Sequence, residues 1–305
     1  MINYRKVFYI YGGRVWKKKV NKKSTNLEDT FSITMELQKP LLKDEDDKDY
    51  ENEEKIKYRE YKSKKNIQIV LSIISVFFLL CIINWVTTSY KPGQLALDAL
   101  VTDDKVEVAL DKNIIFTPKE QDVTKGFILY PGAKVDAKAY APLCKKIASN
   151  GYKVIIADMP LNFAMLSPNK AEKIIKENDD IKSWVIGGHS LGGVVAAKFA
   201  ANDKNVDGVV FLASYPSNDD LKQLEKNVVS IWGSKDGVLN FKNLIESKEN
   251  LPQDTTYVEI EGANHSQFGD YGHQKGDNDA LISEEKQLEI TSNSIIKLLE
   301  NIGDN

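Results

Sequence analysis

Trp184-Val185-Ile186-Gly187-Gly188-His189-Ser190-Leu191-Gly192-Gly193-Val194-Val195 is the stretch on which the reading of this chain turns. An apolar, β-branched run ends in Gly188-His189-Ser190-Leu191-Gly192, and a small-residue, alanine-rich segment follows over 194–201. The order is strand, tight turn, helix, the local structure of a nucleophile elbow. Glycines two positions either side of the serine let strand and helix crowd together, and the apex residue takes a strained backbone that aims its hydroxyl away from both elements. The first amides of the helix have no intrahelical acceptor and carry the positive end of the helix dipole. Ser190 is therefore the candidate nucleophile, and the N–H of Leu191 a candidate oxyanion donor.

Working outward, short apolar runs alternate with helical segments from about residue 105. A leading strand pair is expected at 106–109 and 113–116. A buried strand over 126–130 ends at Pro131-Gly132, an amphipathic helix over 137–150 stops at Gly151, and a strand follows at 153–157. A helix at 169–178 precedes the elbow. After it come a strand at 208–212, a short helix near Asp219, a strand at 228–232, a helix at 241–247, a strand at 257–260 and a terminal helix at 283–301. Near-continuous β-branched strands alternating with helices give an α/β fold, a mostly parallel sheet with helices on both faces. Ligands in such sheets bind beyond the carboxyl ends of the strands.

Those strand ends carry chemistry. One ends in Gly233-Ser234-Lys235-Asp236-Gly237, the next in Glu261-Gly262-Ala263-Asn264-His265. A serine hydroxyl needs a base within hydrogen-bond reach, and an imidazole needs a carboxylate to hold its tautomer. Ser190, His265 and Asp236 supply one of each. The chain has three histidines. His189 is adjacent to the serine and packs beside the site, and His273 lies in a glycine-rich, solvent-exposed loop. Asp219 and Asp220 follow the previous strand and compete with Asp236, which its glycine-bracketed turn favours. The turn after Tyr130, Pro131-Gly132-Ala133-Lys134, places Ala133 N–H as the second oxyanion donor. Asp270, His273, Asp277 and Asp279 lack the tight spacing of metal ligands and read as a solvated loop. No metal and no cofactor are expected. The loop 158–166 is apolar for a surface loop; lining an acyl pocket and packing against the following helix are equally good readings of it.

The other decisive stretch is 67–86, about 20 residues without a charge, the length of a transmembrane helix. Trp85 and Tyr90 mark one end as interfacial anchors. The run lies too far from the N-terminus and is too long for a cleavable signal peptide. Lys55, Lys57, Arg59, Lys62, Lys64 and Lys65 precede it, and only Lys91 follows it up to Asp104, which places the N-terminal side in the cytoplasm and the rest outside. The expected organisation is a charged, disordered cytoplasmic tail over 1–66, a membrane span over 67–86, a linker over 87–104 and the catalytic domain over 105–305. Met35 is a second candidate start. The whole chain of 305 residues carries 41 Lys+Arg against 44 Asp+Glu, a net charge of −3, which gives no case for nucleic acid as a partner. Cys81 lies in the apolar run and Cys144 in an amphipathic helix, contexts that do not pair.

Three segments, 129–136, 187–193 and 262–272, together resemble the compact, dienelactone-hydrolase-like branch of the α/β-hydrolase superfamily, whose members often carry one N-terminal membrane helix. The resemblance covers about residues 90–300. It implies the α/β-hydrolase fold and a serine esterase, cleaving a small-molecule acyl substrate. Dienelactone hydrolases proper use a cysteine where this chain has Ser190. Larger relatives insert a lid after the sixth strand, for which 213–227 leaves little room, so an open site is expected. A catalytically silent domain serving as a binding module, or a peptidase with the same triad, are the alternatives.

Overall fold

The computed structural model describes residues 5–11, 14–20, 45–119 and 122–303. They fall into two compact units, Met1–Val76 and Phe77–Asn305, each taken by itself. In the first, β1 (Arg5–Tyr11) and β2 (Arg14–Val20) form an antiparallel hairpin, Arg5 opposite Val20 and Tyr11 opposite Arg14. The helix α1 (Glu45–Thr87) starts far ahead of the apolar run. Its charged portion is helical where the sequence reads as irregular, with Glu51–Lys55 and Glu53–Lys57 pairs one turn apart. Such exposed pairs add a few tenths of a kcal/mol each. Over 67–83 its apolar side chains are exposed, and this is the helix, among the described residues, long and apolar enough to cross a membrane.

The second unit holds the rest. After α2 (Gln94–Ala99) come β3 (Val106–Leu110), β4 (Ile114–Pro118) and β5 (Lys125–Tyr130), then α3 (Ala141–Ala148) and β6 (Lys153–Ile156). Next are α4 (Lys170–Lys176), β7 (Ser183–His189), α5 (Leu191–Asn202) and β8 (Val206–Leu212). The chain ends through β9 (Asn227–Gly233), α6 (Phe241–Glu246), β10 (Thr256–Ile260) and α7 (Glu284–Asn301). Eight strands form one sheet in the order β10-β9-β8-β7-β5-β6-β4-β3. The pairs from β10 to β6 are parallel, and β6–β4 and β4–β3 are antiparallel. The helix expected near Asp219 is a run of turns instead, and Ala213 to Lys226 connects β8 to β9 without an inserted subdomain.

Alternation along the central strands builds a core on each face. On β5, Phe127 and Leu129 face one side with Leu143 and Ile147 of α3 and Ile295 and Leu299 of α7. Ile128 and Tyr130 face the other with Ile174 of α4 and Val195, Ala196 and Ala200 of α5. Trp184, at the start of β7, is fully buried in that second layer; cutting such a side chain back to alanine costs about 3–5 kcal/mol. β7 lies between β5 and β8, inside the parallel part of the sheet, and so delivers its last residue, His189, and the following Ser190 to the middle of the carboxyl edge.

Candidate active site

Ser190 sits between β7 and α5 with φ 52° and ψ −124°, a left-handed backbone that an L-residue holds only when its neighbours enforce it. The enforcement is visible. Ser190 N–H donates to Leu212 O at 2.9 Å, and Ser190 O accepts from Ser214 Oγ at 2.7 Å and from Gly193 N at 3.1 Å. The turn closes because two positions lack a side chain. A Cβ on Gly188 would lie 2.3 Å from Gly192 C, and one on Gly192 would lie 2.3 Å from Tyr130 O. Both contacts are with backbone that has nowhere to go.

His265 follows β10 and Asp236 follows β9, and the structure brings them together. His265 Nδ1 and Asp236 Oδ2 are 2.8 Å apart, with both residues buried. Asp236 Oδ1 accepts from Val238 N and Leu239 N at 2.8 and 2.7 Å. A carboxylate only accepts, so Nδ1 carries a proton, and in the neutral imidazole Nε2 is the nitrogen with the free lone pair. That Nε2 is buried and makes no hydrogen bond. Ser190 is one residue from His189, whose ring centroid is 4.5 Å from that of His265. Asp219 and Asp220 are exposed on the turns after β8, where Asn218 Nδ2 donates to Asp220 Oδ2.

His189 is buried and occupied in a different way. Gly132 N–H donates to Tyr140 Oη at 3.0 Å, so the single hydroxyl proton of Tyr140 goes to His189 Nδ1 at 2.9 Å. Burial, reinforced by the neighbouring His265, holds His189 well below the usual imidazole range and keeps it neutral. With Nδ1 engaged and no tendency to take a proton, His189 is a support for the turn at Gly132 rather than a base. The same turn carries Ala133, half-buried, whose N–H has no acceptor among the described residues. Leu191 N–H is the first amide of α5 and one of its free N-terminal donors.

Asp277 belongs to the site's frame, which its place in a polar loop conceals. Its Oδ1 accepts from Gly237 N at 3.0 Å and His265 N at 3.3 Å, and its Oδ2 from Ser266 N at 2.8 Å and Ser266 Oγ at 2.5 Å. One carboxylate thus ties the loop of Asp236 to the loop of His265. Burial pushes its pKa up, but the Ser266 hydroxyl and these amides outweigh that and hold it below the usual carboxylate value. Asn264 and Gln287 brace the same loop, with Gln287 Oε1 accepting from Asn264 N at 3.1 Å and its Nε2 donating to Asn264 O at 2.8 Å. His273 is exposed, 3.9 Å from Asp279 Oδ1. Among the described residues no group of three metal-ligating side chains forms.

The segment after α1 lies against this site. Tyr90 bridges to Val135, donating from N to Lys134 O at 2.7 Å and accepting at O from Asp136 N at 3.1 Å. Asp270, in the loop after His265, accepts through Oδ2 from Ala96 N at 2.7 Å and through O from Gly93 N at 2.8 Å. The stretch expected to be a plain linker therefore holds both the Ala133 turn and the His265 loop.

A family model described as the alpha/beta hydrolase family matches residues 126–289. No curated protein sequence matches the chain. Among solved structures it is similar to a dienelactone hydrolase from Anabaena variabilis, at 14% identity over 64% of this chain and 99% of that one, TM-score 0.49. It is similar to a soluble variant of monoglyceride lipase from Saccharomyces cerevisiae, at 14% identity over 66% and 96%, TM-score 0.47. A thermophilic esterase from the Planctomycetes species Thermogutta terrifontis is similar at 15% identity over 70% and 97%, TM-score 0.47.

Proposed function

The chain belongs to the alpha/beta hydrolase family, and from that premise we propose that it is a membrane-anchored serine hydrolase that cleaves a carboxylic ester through an acyl-enzyme on Ser190. The observation that carries this reading is the buried His265–Asp236 pair beside the elbow, with His265 Nε2 left without a partner. In the first half-reaction His265 Nε2 takes the Ser190 proton as Oγ attacks the acyl carbonyl. Asp236 holds the imidazole in place and stabilises the imidazolium. The N–H groups of Leu191 and Ala133 receive the charge that develops on the carbonyl oxygen. The imidazolium then gives its proton to the leaving alcohol. In the second half-reaction His265 takes a proton from water, hydroxide attacks the acyl-enzyme, and Ser190 Oγ leaves with the returned proton.

Residues 67–86 act as an uncleaved anchor, with 1–66 on the cytoplasmic side, 87–104 as the connecting segment and the domain over 105–305 outside. The supports are the exposed apolar stretch of α1 and the lysine-rich flank before it. A fluorophosphonate probe and 4-nitrophenyl acetate test the chemistry on the full chain. Labelling and turnover that disappear in Ser190→Ala are expected, and a folded chain that does not label is a silent binding module. Faster turnover of amide analogues than of esters would make it a peptidase. Protease added to intact cells should degrade the domain; a protected domain reverses the orientation.

A further inference from the structure

Trp85 lies at the end of the apolar stretch of α1, the position at which indole rings settle in the membrane interface. Its Nε1–H donates to Leu161 O at 2.7 Å, and its ring meets Phe163 edge-on at 5.4 Å. Lys134 Nζ stands 5.3 Å over the same indole and donates to Thr88 Oγ1 at 2.7 Å. With 67–86 as a span, the loop that Trp85 grips stands at the level of the interface. It is also the loop whose apolar side chains face outward: Leu161, Met165 and Leu166 are 44%, 57% and 54% exposed, while Met159 and Ala164 turn into the core. Leu161 and Asn162 both hold left-handed backbone, φ 56° and 52°, and Asn162 O accepts from Lys134 N at 2.8 Å. A continuous path of contacts then runs from the interfacial indole through Leu161 and Asn162 to Lys134 and the adjacent Ala133.

We propose that the loop 159–166 docks into the outer leaflet of the bilayer that α1 crosses, and that the substrate is an acyl ester of a bilayer-resident amphiphile, its chain lying along this loop with its carbonyl at Ser190. The proposal rests on the readings of 67–86 as a span and of Ser190 as nucleophile. Three large apolar side chains on one loop, next to a basic side chain and an indole, have the composition of an interfacial surface. Water-soluble esters reach the same serine without using the loop.

Two measurements on the full chain in phosphatidylcholine vesicles separate the parts. In a Cys81→Ser background, a dye on Met165→Cys should be quenched by nitroxide lipids and protected from aqueous iodide, relative to the same dye on Lys173→Cys of the exposed α4 surface. Equal iodide quenching at the two positions overturns the docking. The second measurement compares 4-methylumbelliferyl oleate in the vesicles with 4-methylumbelliferyl acetate in water, using the combined variant Met165→Ser, Leu166→Ser. Oleate turnover should fall by about tenfold or more while acetate stays within about twofold. Undiminished oleate turnover, or equal loss on both esters, overturns the substrate class. A wild-type chain that cleaves acetate but not oleate overturns the substrate class alone. One that cleaves neither overturns the hydrolase reading and the substrate class with it, while the dye still decides the docking.

Discussion

The two sides of the site are held by opposite means. On the elbow side, the turn at Ser190, the proposed nucleophile, closes because side chains are missing: Gly188 and Gly192 let backbone touch backbone, and a Cβ at either position would come within 2.3 Å of main-chain atoms. On the base side, His265 and Asp236 are fixed by side chains that reach across the sequence, Asp277 to Gly237, His265 and Ser266, and Gln287 to Asn264. The first kind of support is steric and indifferent to pH. The second is long-range, hydrogen-bonded and charged. A nucleophile that must keep strained backbone needs walls, whereas a base and its carboxylate need only be kept in register with each other.

The largest effect on either side belongs to the proposed nucleophile itself. Ser190→Ala should lower turnover of 4-nitrophenyl acetate by about 10^5- to 10^6-fold while circular dichroism stays unchanged. The elbow side should then break on addition of a single carbon: Gly192→Ala costs about 4 kcal/mol or more, read as loss of folded domain in urea. The base side should break on loss of one charge without unfolding. Asp277→Asn is expected to lower kcat on the acetate by about a hundredfold, because one accepting oxygen replaces two, Ser266 N–H beside His265 loses its acceptor, and the imidazole shifts. If Asp277→Asn unfolds the domain while Gly192→Ala is tolerated, the contrast is the wrong way round.

The smallest effect sharpens the charge difference. Glu284, half-buried in the first turn of α7, is pushed up to about 7 by burial and by the nearby Asp270 and Glu285. A carboxyl whose folded value is raised favours the fold while protonated, so its contribution is complete below about 4.5 and is lost as the pH rises through about 7. Wild-type Tm should therefore fall from pH 5 to pH 8 by about 2–4 °C more than that of Glu284→Gln, corresponding to about 1 kcal/mol once its exposed part is discounted for solvent screening. An identical pH trend in the two proteins would remove Glu284 from this account.

The same contrast sets what was legible in the sequence. The elbow is a local pattern, and strand, turn and helix appear in the order that the residues dictate. Asp236 and His265 stand out because each ends an apolar run, and the parallel sheet brings such ends to one edge. Asp277 carries no such signal: it sits among Gly276, Asn278 and Asp279, and only the fold reveals that its carboxylate spans two loops. Tyr140 reads as a core residue of a helix, and its bonds to Gly132 and His189 join segments that no periodicity connects. The helix expected near Asp219 fails because that segment, between two buried strands, has little apolar surface to bury. Residues 88–99 read as a linker because their partners, Val135 and Asp270, lie far along the chain.

The bridge at Tyr90 also sets a leash. Only Thr88 and Ser89 separate the end of α1 from the residue paired with Val135, a span of about 10 Å at full extension. With α1 embedded as proposed, the domain does not swing through the space outside the cell on a flexible cord. It rides as a float, and its encounters with substrate become a search over an area instead of a volume. Amphiphiles diffusing in the same leaflet meet it often.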